Sequence, residues 1–429
     1  MTTQVVLLNA LGIAMASDSA VTAGGKVLNT SEKIFELPAP HRLAVLTSGR
    51  ARFMGIPWEV ALSAWSETLD KPLNSVQSYL ESLYKFLRTI FPTGGSTFTQ
   101  DENDYLRSSY WGTNNTYDTI NQILGRVVTP HFEDFLDGDD RDAFFSNEPW
   151  DETFRERMSA HITPEIVEQM SKELVEAADN RRNLYVAAAE ASEAQALVWI
   201  DKYWSQYEVS PSDSDYRAWP AIPGFDSMIK RLWATFVVHA DYDGESNVNL
   251  FGFGSGDMFP SGAGTFMHGL VNGTLIKRFE GNAEAVSEPR YYFFGQSDAI
   301  TAMVSGEDHL LISAAEKSSQ KTLNDIYDRL LQSEDAEVAL AREYVKETLD
   351  KGGLAEEMKR AGSEERGKPF RKAIGMSPIL DLAEFAAQLV GVQAASAAMT
   401  QENPSVGGFV DVAIISHRRG FEWIRHKQH

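Results

Sequence analysis

The chain has 429 residues, 43% of them hydrophobic, and it carries 61 Asp and Glu against 39 Lys and Arg for a formal net charge of -22. That length supplies a large core or two to three average domains, and the charge argues against nucleic acid or an anionic membrane as partner, since both are held by clustered cationic side chains. The sequence contains no cysteine, which excludes a disulfide framework and a thiolate metal site; with no basic leader region and no long uninterrupted apolar run, the expectation is a cytoplasmic protein that is neither secreted nor membrane-spanning.

Residues 5–8, 13–16, 33–37 and 42–47 are short apolar or alternating runs separated by Gly, Asn and Pro, the pattern of strands in an antiparallel sheet. Pro57 then opens a helix with Val60, Ala61, Ala64, Trp65 and Leu69 at helical spacing. Asn74 reads as the cap of a second helix carrying Val76, Tyr79, Leu80, Leu83, Leu87 and Ile90. From Phe91 to about Gly224 the texture changes to a Gly/Thr/Asn-rich stretch, the acidic segment EDFLDGDDRD, and a helical run from Thr163 and Pro164 towards Trp204. Strand patterns return at ATFVVHADYD, NVNLFGFGSGD, GTFMHGLVNGTLI and RYYFFGQSD; helices are expected at 322–331, 336–349 and 379–390, and GGFVDVAIIS and FEWIRH close the chain as strands. The order predicts a layered α+β fold with one large, mostly helical insertion.

The charged and glycine-rich segments read plainly. The acidic run does not fit the calcium-loop spacing and is a solvated loop, GFGSGD lacks the spacing of either phosphate-binding glycine motif and reads as a hairpin turn, and no helix carries a His-x-x-x-His pair for zinc. No metal or organic cofactor is predicted.

The beginning of the chain carries the chemistry. Removal of Met1, which a small neighbour such as Thr2 permits, would leave a threonine offering both a hydroxyl nucleophile and, beside it, a free α-amine with a pKa of about 7.7–8.0 to act as its base. A buried Lys33 near that hydroxyl would favour its ionisation and depress the amine, and Asp18 would keep the ammonium charged and in place. Gly49, at the end of RLAVLTS, could offer a backbone N–H to an oxyanion. A lysine on an apolar strand calls for such a partner, because lysine is rarely buried without one.

TTQVVLLNALGIAMASDSAVTAGG, SEKIFEL and RLAVLTSGRA together resemble the opening of proteasome β subunits and of the related bacterial ring peptidase, all N-terminal nucleophile (Ntn) hydrolases. The family's spacing from nucleophile to aspartate is sixteen residues, which selects Thr2 over Thr3 relative to Asp18. By this resemblance Thr2 is the nucleophile, Asp18 and Lys33 take the aspartate and lysine roles, and Gly49 the oxyanion role; the loop before Lys33 is one residue shorter and that before Gly49 two residues longer than in most members. NPSVGGFVDVAIISHRRGFEWI is similar to the family's Ser-Gly-Gly segment entering its penultimate strand, which gives Ser405 a place beside the terminal amine, with the second aspartate position falling on Asn403 or Glu402. Gln296, Ser297 and Asp298 stand where the family carries serines before its third helix, and Ser297 alone is carried over.

What the resemblance implies is a four-layer αββα Ntn sandwich, its N-terminal half in residues 1–92 and its C-terminal half in 227–429, with the helical insertion at 93–226. It implies a threonine-type peptidase or amidohydrolase without cofactor, acting on a peptide or small amide, assembled as a homo-oligomer, with an ATP-dependent unfoldase as candidate partner. Two alternatives are kept: a catalytically inactive proteasome-like scaffold, and a small-amide hydrolase whose insertion caps the cleft.

Overall fold

Strand β1 (Thr3–Asn9) is buried along its whole length. Its side chains alternate between two cores, Val5 and Leu7 in one and Val6 and Leu8 in the other, as the two-residue period of a strand covered on both faces requires. β2 (Gly12–Asp18) repeats the division, with Ala14 and Ala16 on the first side and Ile13 and Met15 on the second. The computed structural model describes residues 2–23, 26–28, 32–90, 99–111, 116–128, 130, 156, 160–184, 191–207, 224–239, 246–283, 287–331, 341, 343–344, 346, 353–401, 404 and 406–427.

The remaining strands are β3 (Val21–Ala23), β4 (Lys26–Leu28), β5 (Ile34–Glu36), β6 (Arg42–Gly49), β7 (Arg52–Phe53), β8 (Ile56–Pro57), β9 (Ser246–Phe253), β10 (Ser261–Val271), β11 (Thr274–Ala283), β12 (Arg290–Gly295), β13 (Val410–Ser416) and β14 (Gly420–Arg425). Two five-stranded sheets, ordered β12-β1-β2-β13-β14 and β11-β10-β9-β6-β5, contain only antiparallel pairs. They face each other through one core in which Val6, Leu8, Ile13 and Met15 of the first sheet meet Ala44, Leu46, Phe251 and Phe253 of the second.

Helices cover the outer faces. α1 (Trp58–Ser66) and α2 (Val76–Ile90) bury Trp58, Trp65, Tyr79, Leu80 and Leu83 against Leu43, Val45, Val248 and Leu250 of the second sheet. The capping oxygen of α2 is Ser75 Oγ, which accepts the Ser78 N–H at 3.2 Å, so the cap lies one residue past the expected Asn74.

The segment expected as an insertion contains α3 (Gln100–Trp111), α4 (Thr116–Val127), α5 (Pro164–Leu184), α6 (Glu193–Tyr207) and α7 (Phe225–Val238) among the described residues. These helices share a core of their own, in which Leu106, Tyr110, Ile120, Met170, Ile200 and Trp233 are buried together with Val271 and Ile276 of the β10–β11 hairpin. α7 corrects the sequence reading. ATFVVHADYD was expected as a strand, but residues 234–238 are helical and all buried. A short apolar run has no period to separate a core strand from a helix sunk in a bundle. α7 also crosses the expected boundary at 226/227, and its buried side chains belong to the insertion's core. Expected features at EDFLDGDDRD, and most of the helix expected at 336–349, lie outside the described residues.

On the first sheet's outer face, α8 (Asp298–Ser305), α11 (Lys368–Met376) and α12 (Ile379–Thr400) contribute Ile300, Val304, Ile374, Leu382, Ala386 and Val390 to a core with Val5, Leu7, Ala14, Val412 and Ile414. Between them run α9 (His309–Leu331) and α10 (Gly353–Gly362). α12 is long and apolar enough by composition to cross a membrane, yet its buried side chains belong to this core, as in the central helix of a globular protein. The molecule is a mixed α and β fold with antiparallel sheets.

Candidate functional site

Seven strand ends gather at one edge of the two sheets. In the first sheet β1 begins there, opposite Gly295 at the end of β12 and Ser17 near the end of β2, and β13 begins opposite Asp18. In the second, β5 begins just after Lys33, and Gly49 at the end of β6 faces Ser246 at the start of β9. Gln4 stitches the sheets together at this edge: its Nε2 donates to Thr47 O at 3.0 Å and to Lys33 O at 3.3 Å. Thr47 N–H donates to the same Lys33 oxygen at 3.1 Å.

Asp18 and Lys33 form the centre of the cluster, at 1% and 4% exposure. Lys33 Nζ donates to Asp18 Oδ1 at 2.7 Å and to Ala20 O at 2.6 Å. The same Oδ1 accepts the Thr3 N–H at 2.9 Å, so the Thr2–Thr3 peptide and the ammonium converge on one oxygen. Asp18 Oδ2 accepts the N–H groups of Ala20 at 3.3 Å and Gly407 at 3.1 Å. Four donors thus satisfy this buried carboxylate, as the cost of burying a charge demands.

Thr2 is 6% exposed, and its carbonyl accepts the Gln296 N–H at 2.7 Å. Thr3 Oγ1 donates to Gln296 O, also at 2.7 Å, so residue 296 is gripped on both sides of its backbone by the two threonines. The approach depends on Gly295, which has φ of 72°; a Cβ there would lie 1.9 Å from Thr2 O. No other residue tolerates both the left-handed backbone and that contact. Ser297 follows as the half-buried N-cap residue of α8 and makes no side-chain capping bond.

Burial pushes the Lys33 ammonium below the ordinary lysine range, while the charge of Asp18 and its hydrogen bond pull the other way. The arrangement therefore presents a cation held out of bulk water within two hydrogen bonds of the Thr2–Thr3 peptide group. Such a group can stabilise a neighbouring alkoxide or lower the pKa of a neighbouring amine.

Of the residues singled out from sequence, Asp18 and Lys33 bond each other directly, Thr2 is joined to them through the N–H of the next residue, Thr3, on Asp18, and Ser297 lies one residue from the backbone group that holds Thr2. Gly49 stands exposed at the same edge with φ of 79°, two residues beyond the Thr47 carbonyl that receives Gln4. Met1, Glu402, Asn403 and Ser405 lie outside the described residues; Gly407, two residues past Ser405, bonds Asp18. Sequence reasoning missed the roles of Gln4, Gly295, Gln296 and Gly407. One signal was available for Gln4, an amide at a position that alternation assigns to the face between the sheets. Comparison with protein-family models and with curated proteins finds no match for this chain.

Proposed function

We propose that this protein is an Ntn amide or peptide hydrolase in which Thr2, freed by removal of Met1, is the nucleophile. The observation that carries the reading is the shared Oδ1 of Asp18, which bonds the Thr3 amide and the Lys33 ammonium together in a buried setting. Two antiparallel sheets packed face to face, with helices on both outer faces, support the four-layer αββα sandwich that the resemblance to proteasome β subunits implies.

In the proposed reaction Thr2 Oγ attacks the substrate carbonyl carbon and its proton passes to the α-amine, directly or through one water. The carbonyl π electrons move onto oxygen, and the Gly49 N–H serves as the oxyanion donor. Collapse restores the carbonyl and breaks the C–N bond, the leaving amine taking the proton from the α-ammonium. Water then attacks the threonyl ester, giving the carboxylic acid and regenerating the hydroxyl. Lys33 acts throughout as a fixed positive charge and Asp18 as its anchor.

The insertion bears on substrate size. β10 runs on past Met267, the partner of Ser246, so residues 268–271 project beyond the sheet at the edge where Gly49 faces Ser246. The insertion's core closes around Val271 and Ile276 of that projecting hairpin, and Glu102 of α3 accepts the Asn272 N–H at 2.7 Å. A helical block anchored at the site's own edge favours short peptides or small amides over threaded chains.

Intact-mass measurement tests the first requirement: the native protein should lack Met1. Incubation with a peptide epoxyketone or a β-lactone should then add one probe mass to the wild type, mapped to Thr2, and none to Thr2→Ala. A wild type that keeps Met1, or stays unlabelled and cleaves no amide, would return the scaffold reading to first place.

A further inference from the structure

The end of the chain folds back against the face that lies between the two sheets. Asp411, on β13 opposite Ser17 and one position from the Val410–Asp18 pair, is 2% exposed. Alternation places it on the side of Ala413 and Ile415, in the inter-sheet core. Its carboxylate is met by the residues after β14: Lys427 N–H lies 3.1 Å from Oδ1, His426 Nδ1 3.1 Å from Oδ1, and Lys427 Nζ 3.2 Å from Oδ2. The Lys427 side chain is 9% exposed. Trp423, opposite Ala413, stacks on His426 with ring centroids 4.0 Å apart and fixes the turn into this segment.

This second buried pair lies within electrostatic reach of the first. Lys427 and Asp411 act on Lys33 with opposite signs, the cation opposing its charge and the carboxylate favouring it, and both act likewise on Glu32. The four donors described on Asp18 come from Thr3, Ala20, Lys33 and Gly407.

We propose that Asp411 and Lys427 form a tuning pair for the Thr2 centre, in which Lys427 neutralises Asp411 so that the local field stays positive and the Thr2 α-amine stays neutral and basic near pH 7. These are positioning residues: neither needs to touch substrate. The inference rests on the Thr2 reading above.

The charged groups that act on Lys33 and Glu32, among the described residues, are Asp18 from β2, Asp411 from β13, His426 and Lys427 after β14, and Glu59 of α1. Lys427→Met takes the ammonium away from the Asp411 carboxylate, leaving it to His426 and the backbone N–H of residue 427, which favours the α-ammonium and moves the acidic limb of the rate profile to higher pH. Asp411→Asn takes the carboxylate away from the Lys427 ammonium and moves the limb to lower pH. Each displacement should be about half a unit to one unit.

The test is the rate of β-lactone labelling at Thr2, followed by intact mass against pH in the full-length protein. Opposite displacements in the two variants, with Lys427→Arg keeping the wild-type limb, support the pair. A pair that merely holds the chain end would lower the rates in both variants and leave the limb midpoint unmoved. That result, or displacements of equal sign, overturns the inference while the labelled wild type leaves the nucleophile standing. An unlabelled wild type overturns both. Circular dichroism checks folding, and if Lys427→Met does not fold, a limb moved to lower pH in Asp411→Asn but kept in Lys427→Arg supports the pair, while an unmoved limb or one moved to higher pH in Asp411→Asn overturns it.

Discussion

Asp18 and Lys33 meet at 2.7 Å although one ends a strand of the first sheet and the other precedes a strand of the second, so the ion pair is also a clasp between the sheets. Removing one partner of a buried pair strands the other's charge and costs about 3–5 kcal/mol, whereas removing both is cheaper than the two costs together. Asp18→Asn and Lys33→Met should each lower the urea midpoint strongly. The double variant should recover part of the loss, with a coupling of about 1–3 kcal/mol. Additive costs in the double-variant cycle would mean that the two groups do not depend on each other. All three variants should lose Thr2 labelling, the double variant included, which separates the chemical need for the ammonium from its contribution to stability.

Gly295→Ala tests how tightly the β12 turn holds the chain's beginning. The new methyl would lie 1.9 Å from Thr2 O on a backbone with φ of 72°, so the Gln296–Thr2 bond must open or β1 must shift. A cost of about 2–4 kcal/mol is expected. The effect on function should be larger than the effect on stability, since the sandwich can fold with a displaced Thr2: labelling should fall at least tenfold in a protein whose circular dichroism is unchanged. Full labelling in this variant would show that the turn does not position the nucleophile.

Much of this centre was legible because strands and turns leave local marks. The alternation of Val5 to Leu8, the Asp18 turn and a lysine stranded among apolar neighbours are features of single short segments. What was hidden depends on pairings between distant segments. Gly407 reaches Asp18 across hundreds of residues, Gln296 reaches Thr2 from the end of the neighbouring strand β12, almost three hundred residues away in the chain, and Asp411 meets Lys427 only because β14 returns beside β13. No spacing rule records such contacts. The helix at 225–238 was misread for a related reason: inside the insertion's core every side of FVV is buried, so the sequence carries no amphipathic period to read.

Gln4 offers a test of the stitch between the sheets. Its Nε2 serves two carbonyls, Thr47 O and Lys33 O, and a replacement without a donor removes that bond from both in a buried place, leaving Lys33 O with the Thr47 N–H. Gln4→Met, close in volume, should cost about 1–3 kcal/mol. Gln4→Glu should cost more near neutral pH, because a carboxylate would face the two carbonyl oxygens, and should recover towards the Met variant as acid protonates it and restores one donor. Urea unfolding of both variants at two pH values checks the order; equal midpoints at neutral pH would mean that water, not the side chain, satisfies these carbonyls.

Glu32 gives a pH dependence with a definite sign. Its carboxyl is raised from the ordinary value of 4.5, chiefly by burial and further by Glu59 and Asp411, against the opposing pull of His426 and Lys427. The native state therefore binds this proton more tightly than the unfolded chain. Between 4.5 and the higher native value the folded protein holds more protons, so stability falls as pH rises through that window, and the deficit is complete above it. Glu32→Gln removes the ionisation and should unfold at higher urea than the wild type at about pH 7, with the two midpoints converging at about pH 4. A Gln variant that is the weaker of the two at neutral pH would mean that the attraction of Lys427 and His426 for the ionised carboxylate outweighs its burial. Glu32 would then belong with Asp411 as a second anchor for the chain's end.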